Sequence, residues 1–150
     1  MPGITIDHPE ILHFVAKHRI AVLSVAMPDG SVHSATVHYS HQNEPFRLFF
    51  STPNDTRKYQ AVAAGNGQAI KAAVTIGFNE EEWITFQLDG ELRVAVAGEE
   101  NNHATEVHFT KYPDYKKYAT DPTRVRLIFT PFWYRYTEFR REPRLIIEGK

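Results

Sequence analysis

The chain has no cysteine. That excludes a disulfide framework, a thiolate nucleophile and a thiolate metal site. It has no excess of either charge: 17 Lys and Arg stand against 18 Asp and Glu, a formal net charge of -1. Nothing in that balance draws the chain to nucleic acid or to an anionic membrane. No apolar run approaches the roughly 20 residues of a membrane span. The opening "MPGITIDHPEILHF" lacks the basic start and long apolar centre of a secretion signal, so a cytoplasmic protein is expected. Missing too are G-x-G-x-x-G, G-x-x-x-x-G-K-[ST], G-x-S-x-G and HExxH, and with them the common nucleotide loops, the serine-hydrolase elbow and the zincin motif.

What is present is an ordinary globular composition, 42% hydrophobic and 23% charged over 150 residues. That is about one domain's worth, with enough chain to bury a core. No repeat or linker divides it, so residues 1–150 are read as one domain. "DHPEILHFVAKH" carries a helical stripe, with Asp7 as candidate N-cap. "RIAVLSVA" and "SVHSATVHYSH" flank the turn residues Pro28, Asp29 and Gly30 and read as a hairpin. Period-two alternation puts Ala35, Val37 and Tyr39 on one face of the return strand. Ser34, Thr36, His38 and Ser40 fall on the other. "FRLFFST" is a third strand. "NDTRKYQAVAAGNG" is a short helix capped by Asn54 or Asp55 and stopped near Gly65. "QAIKAAVTIGF" and "WITFQLDGELRVAVA" are strands, the second bent or bulged at Asp89-Gly90. "EENNHATEVHFTKYPDYKKYATDP" is helical, then irregular. "RVRLIFTPFWYRYTEF" is a long closing strand, and the tail "RREPRLIIEGK" carries no clear pattern. The expectation is a mainly β fold: about six antiparallel strands in a small Greek-key-like barrel, with helices outside.

Eight histidines invite a metal site. His8, His13 and His18 recur every five residues, which spreads them around a helix. His38 faces away from His33 and His41 in the same strand. No known ligand spacing results, so no metal is expected. His38 is the one nominee for acid or base chemistry, from its setting among small hydroxyls. The triplet Glu80, Glu81, Glu82 reads as a solvated loop tip.

One stretch stands out. "FFSTPNDTRK" ends a strand in Ser51 and Thr52 and opens a helix with Arg57 and Lys58. Cations at a helix start oppose the helix dipole. Hydroxyls, helix amides and two cations together are the parts of a phosphate site. They are equally the parts of a solvated cation pair.

On these motifs, in this order, the chain resembles the pyridoxamine 5′-phosphate oxidase-like, FMN-binding split-barrel superfamily. The likeness rests on the hairpin "RIAVLSV…DGSVHSATVHY", on "FFSTPNDTRK" and on "ITFQLDG". It covers about residues 10 to 98, with the last long strand fitting more loosely. It implies a split barrel, a homodimer, and FMN at the subunit interface. It implies Thr36, Val37 and His38 along the isoalloxazine ring, and Ser51 and Thr52 at the ribityl-phosphate. Arg57 and Lys58 would hold the phosphate. Thr85 stands where a flavin-contacting glutamine often sits, and alternation keeps Gln87 on its face. Ala35 and Ser40 replace the arginine and lysine that true pyridoxamine-phosphate oxidases carry. Arg140, Arg141 and Arg144 do not form the arginine-histidine motif that grips their substrate. The resemblance thus points to an FMN-dependent oxidoreductase with another small-molecule substrate. A non-enzymatic binder of flavin, haem or a deazaflavin is the alternative.

Overall fold

The computed structural model describes residues 3–150. The order of elements is α1 (Pro9–Lys17), β1 (Ile20–Ala26), β2 (Val32–His38), β3 (Ser40–Gln42), β4 (Arg47–Pro53), α2 (Arg57–Ala63), β5 (Ile70–Ile76), β6 (Ile84–Val94), α3 (Glu99–Lys111), a 3-10 turn (Pro113–Tyr118), β7 (Arg124–Glu138) and β8 (Leu145–Gly149). All strand pairs are antiparallel, in one curled sheet of order β2-β1-β5-β6-β7-β4-β3, with β8 on β7. The mainly β barrel expected from the alternation, and the split barrel implied by the resemblance, match the fold observed. The described residues form eight strands rather than about six. The two additional ones are short: β3, set off from β2 at Tyr39, and β8, made by the tail.

Alternation builds the core directly. Ala21, Leu23 and Val25 of β1 point inward, as do Phe86, Leu88 and Leu92 of β6 and Leu127 and Phe129 of β7. Ile11, Phe14 and Val15 of α1 and Ala61 and Val62 of α2 close onto the same cluster. At Asp89-Gly90 the register between β6 and β7 shifts, as the sequence suggested. Gly90 is required there: a Cβ would lie 2.3 Å from the Thr130 carbonyl oxygen.

The helix caps differ from expectation. α1 starts after His8, with no side-chain cap, so Asp7 plays no part in it. α2 starts after Thr56, whose hydroxyl accepts from the Tyr59 N–H; neither Asn54 nor Asp55 caps it. Thr56 prevails because its Oγ1 also sits 2.9 Å from Thr52 Oγ1, which ties the helix start to the end of β4.

Two ends of the outer sheet face are treated differently. Over β4 and β7, α3 packs through Ala104 onto Phe49 and Ile128. Over β1 and β2 the outer face is bare: Ile20, Val22 and Val32 are exposed, Val32 at 73%. No helix among the described residues is long and apolar enough to cross a membrane.

Candidate functional site

The barrel is split where β2 meets β4. Among the described residues β2 pairs only with β1, and its other edge has no strand partner. β3 pairs with β4 only as far as Phe49, so among the described residues Phe50–Pro53 is paired on the β7 side alone. β2 and β4 touch without sharing a ladder. An unpaired edge leaves backbone donors and acceptors open, which a fold normally covers.

Several predicted residues converge on this split. Thr36 is exposed and His38 half-buried on the outer face of β2, as alternation required. Val37 points the other way and packs against the core, so only its backbone is open to the split. Ser51 is half-buried on β4. Thr52 is fully buried, its hydroxyl engaged with Thr56 and with the Pro53 carbonyl; its side chain is a brace for α2.

The cation pair does not stay together. Arg57 is exposed and lies near the β1–β2 turn. There Asp29 is held below its ordinary pKa by the hydroxyl and N–H of Ser31, with Arg57 adding to the effect. Lys58 turns the other way. It is half-buried, and burial and then the charge of Arg124 push its pKa down. Among the described residues Lys58 has no ion pair. Thr85, on β6 opposite Thr137, is three strands from His38 along the sheet and is not part of the split within one chain.

Ser40 keeps the face of His38, as alternation required, but it lies under α3: it is fully buried with its Oγ 2.9 Å from His108 Nδ1, and the His108 ring stacks on Tyr115, the partner of His38. Tyr39, fully buried too, donates from its hydroxyl to the Val15 carbonyl.

Sequence reasoning missed the wall opposite β2. Tyr112 and Tyr115 follow α3 and meet His38 edge-on, with ring centroids 5.3 and 5.8 Å away. The Tyr115 hydroxyl is 3.0 Å from His38 Nδ1. His108 stacks on Tyr115 at 5.8 Å and 22°. Burial first, then the charge of Arg126, pull the His108 pKa down to about 4. Burial, Arg19 and Lys111 likewise hold His38 below the usual histidine value, so both rings are neutral at pH 7.

Arg124 and Arg126 of β7 were missed as well. Both lie on the face of β7 opposite Val125 and Leu127, and Arg126 is the register partner of Ser51. The signal was present: "RVRLIF" alternates cation and aliphatic with period two, so one face of a closing strand carries two arginines.

A cavity of about 370 Å³ opens elsewhere, between α1, β3 and α3, against Ser40, His41, His103 and Lys111. None of the predicted cofactor residues lines it. Lys111 there donates to the carbonyls of Val15 and His18, closing the end of α1. Its pKa is pushed down to about 8 by burial and then by Arg19. These bonds occupy the amine in a structural task, so we take the split as the candidate site. Among the described residues no three His, Asp or Glu side chains gather in a metal-binding group.

No family model matches the chain and no curated protein matches its sequence. Solved structures do match. A haem-binding protein from Mycobacterium smegmatis superposes with a TM-score of 0.74 at 12% identity, over 97% of this chain and 60% of the other. The chain thus spans about three fifths of that protein. A general stress protein 26-related protein of the pyridoxinephosphate oxidase family from Clostridium acetobutylicum gives 0.67 at 17% identity, over 94% and 92% of the two chains. A pyridoxamine 5′-phosphate oxidase-related FMN-binding protein from Nostoc punctiforme gives 0.66 at 14%, over 93% and 89%. At such identities the likeness speaks to the fold, and the fold is the pyridoxamine 5′-phosphate oxidase-like split barrel.

Proposed function

We propose that this split-barrel chain is an FMN-binding flavoprotein, acting as an FMN-dependent oxidoreductase on a small molecule. One observation carries the reading: the unpaired edge of β2 faces a hydroxyl-bearing end of β4 beside a half-buried lysine that has no ion pair. A planar heterocycle with polar edges and a phosphate tail supplies what each part lacks. The β2 edge offers backbone groups at Val37 and side chains at Thr36 and His38. Ser51 and Lys58 serve the ribityl-phosphate. Flavin supplies the electron-transfer chemistry when bound. The chain binds, orients and shields it, and the neutral His38 holds or passes a proton at Nε2 while Tyr115 engages Nδ1.

The reading includes a homodimer. The bare outer face of β1 and β2, with Ile20, Val22 and Val32, gives a second copy an apolar surface to cover. Thr85, three strands from His38, meets a ligand on β2 only across such an interface.

The absorbance spectrum and mass of the ligand that co-purifies test the proposal. A flavin spectrum and the mass of FMN are expected. Reduction of the bound flavin by NAD(P)H distinguishes an enzyme from a carrier. Replacing Lys58 by alanine is expected to weaken FMN by about one decade or more with the fold intact, from a charge-assisted contact of ~1.5–3 kcal/mol. Undiminished FMN retention in that variant removes the phosphate assignment. A tetrapyrrole is the second reading, favoured by the haem-binding protein's TM-score of 0.74; a porphyrin band in the same spectrum decides for it.

A further inference from the structure

A buried guanidinium is tolerated when its donors find acceptors. Arg126 is 8% exposed. Its Nε is buried without a hydrogen-bond partner, and no carboxylate lies within ion-pair distance among the described residues. What surrounds it is aromatic or of like charge. Its guanidinium carbon stands 5.6 Å over the Phe109 ring. The nearby His108 is neutral, and the charge that acts on Arg126 is that of Arg124. Arg124 repeats the pattern. Its Nε is also buried and unpartnered, and the Asp121 carboxylate sits 3.9 Å away. That carboxylate is already engaged, accepting from the N–H and hydroxyl of Thr123. Beyond Arg124 stands Lys58, which Arg124 repels. Three cations therefore line up across β7 and the start of α2; Asp121 reaches Arg124 only at 3.9 Å, Asp55 acts on Lys58 from its own turn, and among the described residues no carboxylate pairs with Arg126.

We infer that Arg126, with Arg124 and Lys58, forms the anion-recognition site of this protein, and that it takes a phosphate monoester. The grip lies on β7 and Lys58, and Arg57 is outside it. A monoester carries close to two negative charges and offers three acceptor oxygens, which suits planar guanidinium forks. Ser51 adds a hydroxyl, because register partners on antiparallel strands share a face. The flavin reading enters only as one source of the phosphate; a phosphorylated substrate is the other.

The test uses the full-length chain freed of ligand. FMN and riboflavin are titrated by fluorescence quenching, and inorganic phosphate is titrated by thermal shift. Arg126→Gln is expected to weaken FMN roughly tenfold or more, to leave riboflavin unchanged, and to abolish stabilisation by phosphate. Arg126→Lys retains part of both, and serves if the glutamine variant does not fold. Arg57→Gln has the smaller effect. If the parent binds neither flavin but phosphate stabilises it through Arg126, the inference stands, the flavin reading falls, and the source is a phosphorylated substrate. If Arg126→Gln binds FMN and phosphate as the parent does, the inference is overturned and the flavin reading survives. Equal losses of FMN and riboflavin also overturn it, because then Arg126 only shapes the site. So does a change in oligomeric mass with phosphate binding intact, which makes Arg126 an ion-pair partner for a second copy.

Discussion

The two ends of α3 handle charge in opposite ways. At its start, Glu100 meets the Arg93 guanidinium through two bonds of 2.6 and 2.7 Å and also accepts from the Val96 N–H. Every partner is answered, and the Arg93 bonds, the largest cause, pull the Glu100 pKa down to about 2. Toward its other end, His108 lies beside the buried Arg126, which has no ion pair with a carboxylate among the described residues. The first arrangement is how a fold fastens a helix: an acidic group in the first turn with its partners in place. The second weakens the fold, because buried charge without a partner is costly. A protein that pairs an arginine so completely at one end and leaves one unpaired at the other has different work for the two ends.

The largest effect that sharpens this contrast is expected from pH. His108 titrates near 6.5 unfolded and about 4 folded. The folded state therefore binds fewer protons between those values, and stability present above pH 6.5 is lost as pH falls toward 4. For a ring 1% exposed the loss is about 3 kcal/mol. His38 and His41 are shifted the same way, so the comparison is with His108→Gln. Denaturant midpoints of the two proteins should converge as pH falls across that window. Parallel curves mean that His108 is not buried neutral.

Glu100→Gln comes next, at about 1–2 kcal/mol at pH 7, discounted because both partners are about a third exposed. Glu100 has a depressed folded pKa, so this contribution is whole above about pH 4.5 and fades toward about 2. Thermal unfolding of parent and variant between pH 7 and pH 2 follows it. A difference that persists undiminished at pH 2 assigns the effect to packing rather than charge.

The smallest effect is expected at Lys17, 54% exposed and 2.8 Å from Glu82. Lys17→Ala should cost at most about 0.5 kcal/mol, and less in high salt. A larger loss by urea unfolding in low salt would break the claim that only enclosed charges matter here.

Much of the fold was legible. Alternation in "SVHSATVHYSH" separated the two faces of β2 correctly, since a strand's side chains must alternate. Asp89-Gly90 marked the bulge because only a glycine fits against the Thr130 carbonyl. Arg57 opens α2 as expected. Other features were hidden. Ser40 read as an open polar neighbour of His38, but it is buried beneath α3 against His108. Arg57 and Lys58 looked like one clamp, but successive residues of a helix point about 100° apart, and the turn at Asp29 and the strand at Arg124 draw them to different sides.

The sequence by itself determined which residues alternate, where the hairpin turns, and that a hydroxyl-rich strand end precedes a cation-bearing helix. These are local properties, set by backbone periodicity and turn chemistry within a few residues. Only the tertiary structure decided that β2 would be left with a free edge against β4. Only it decided that Lys58, Arg124 and Arg126, up to 68 positions apart in the chain (126 − 58), would share one cation-rich corner. Charge is long-ranged and burial is collective, so neither is written in any single stretch of sequence.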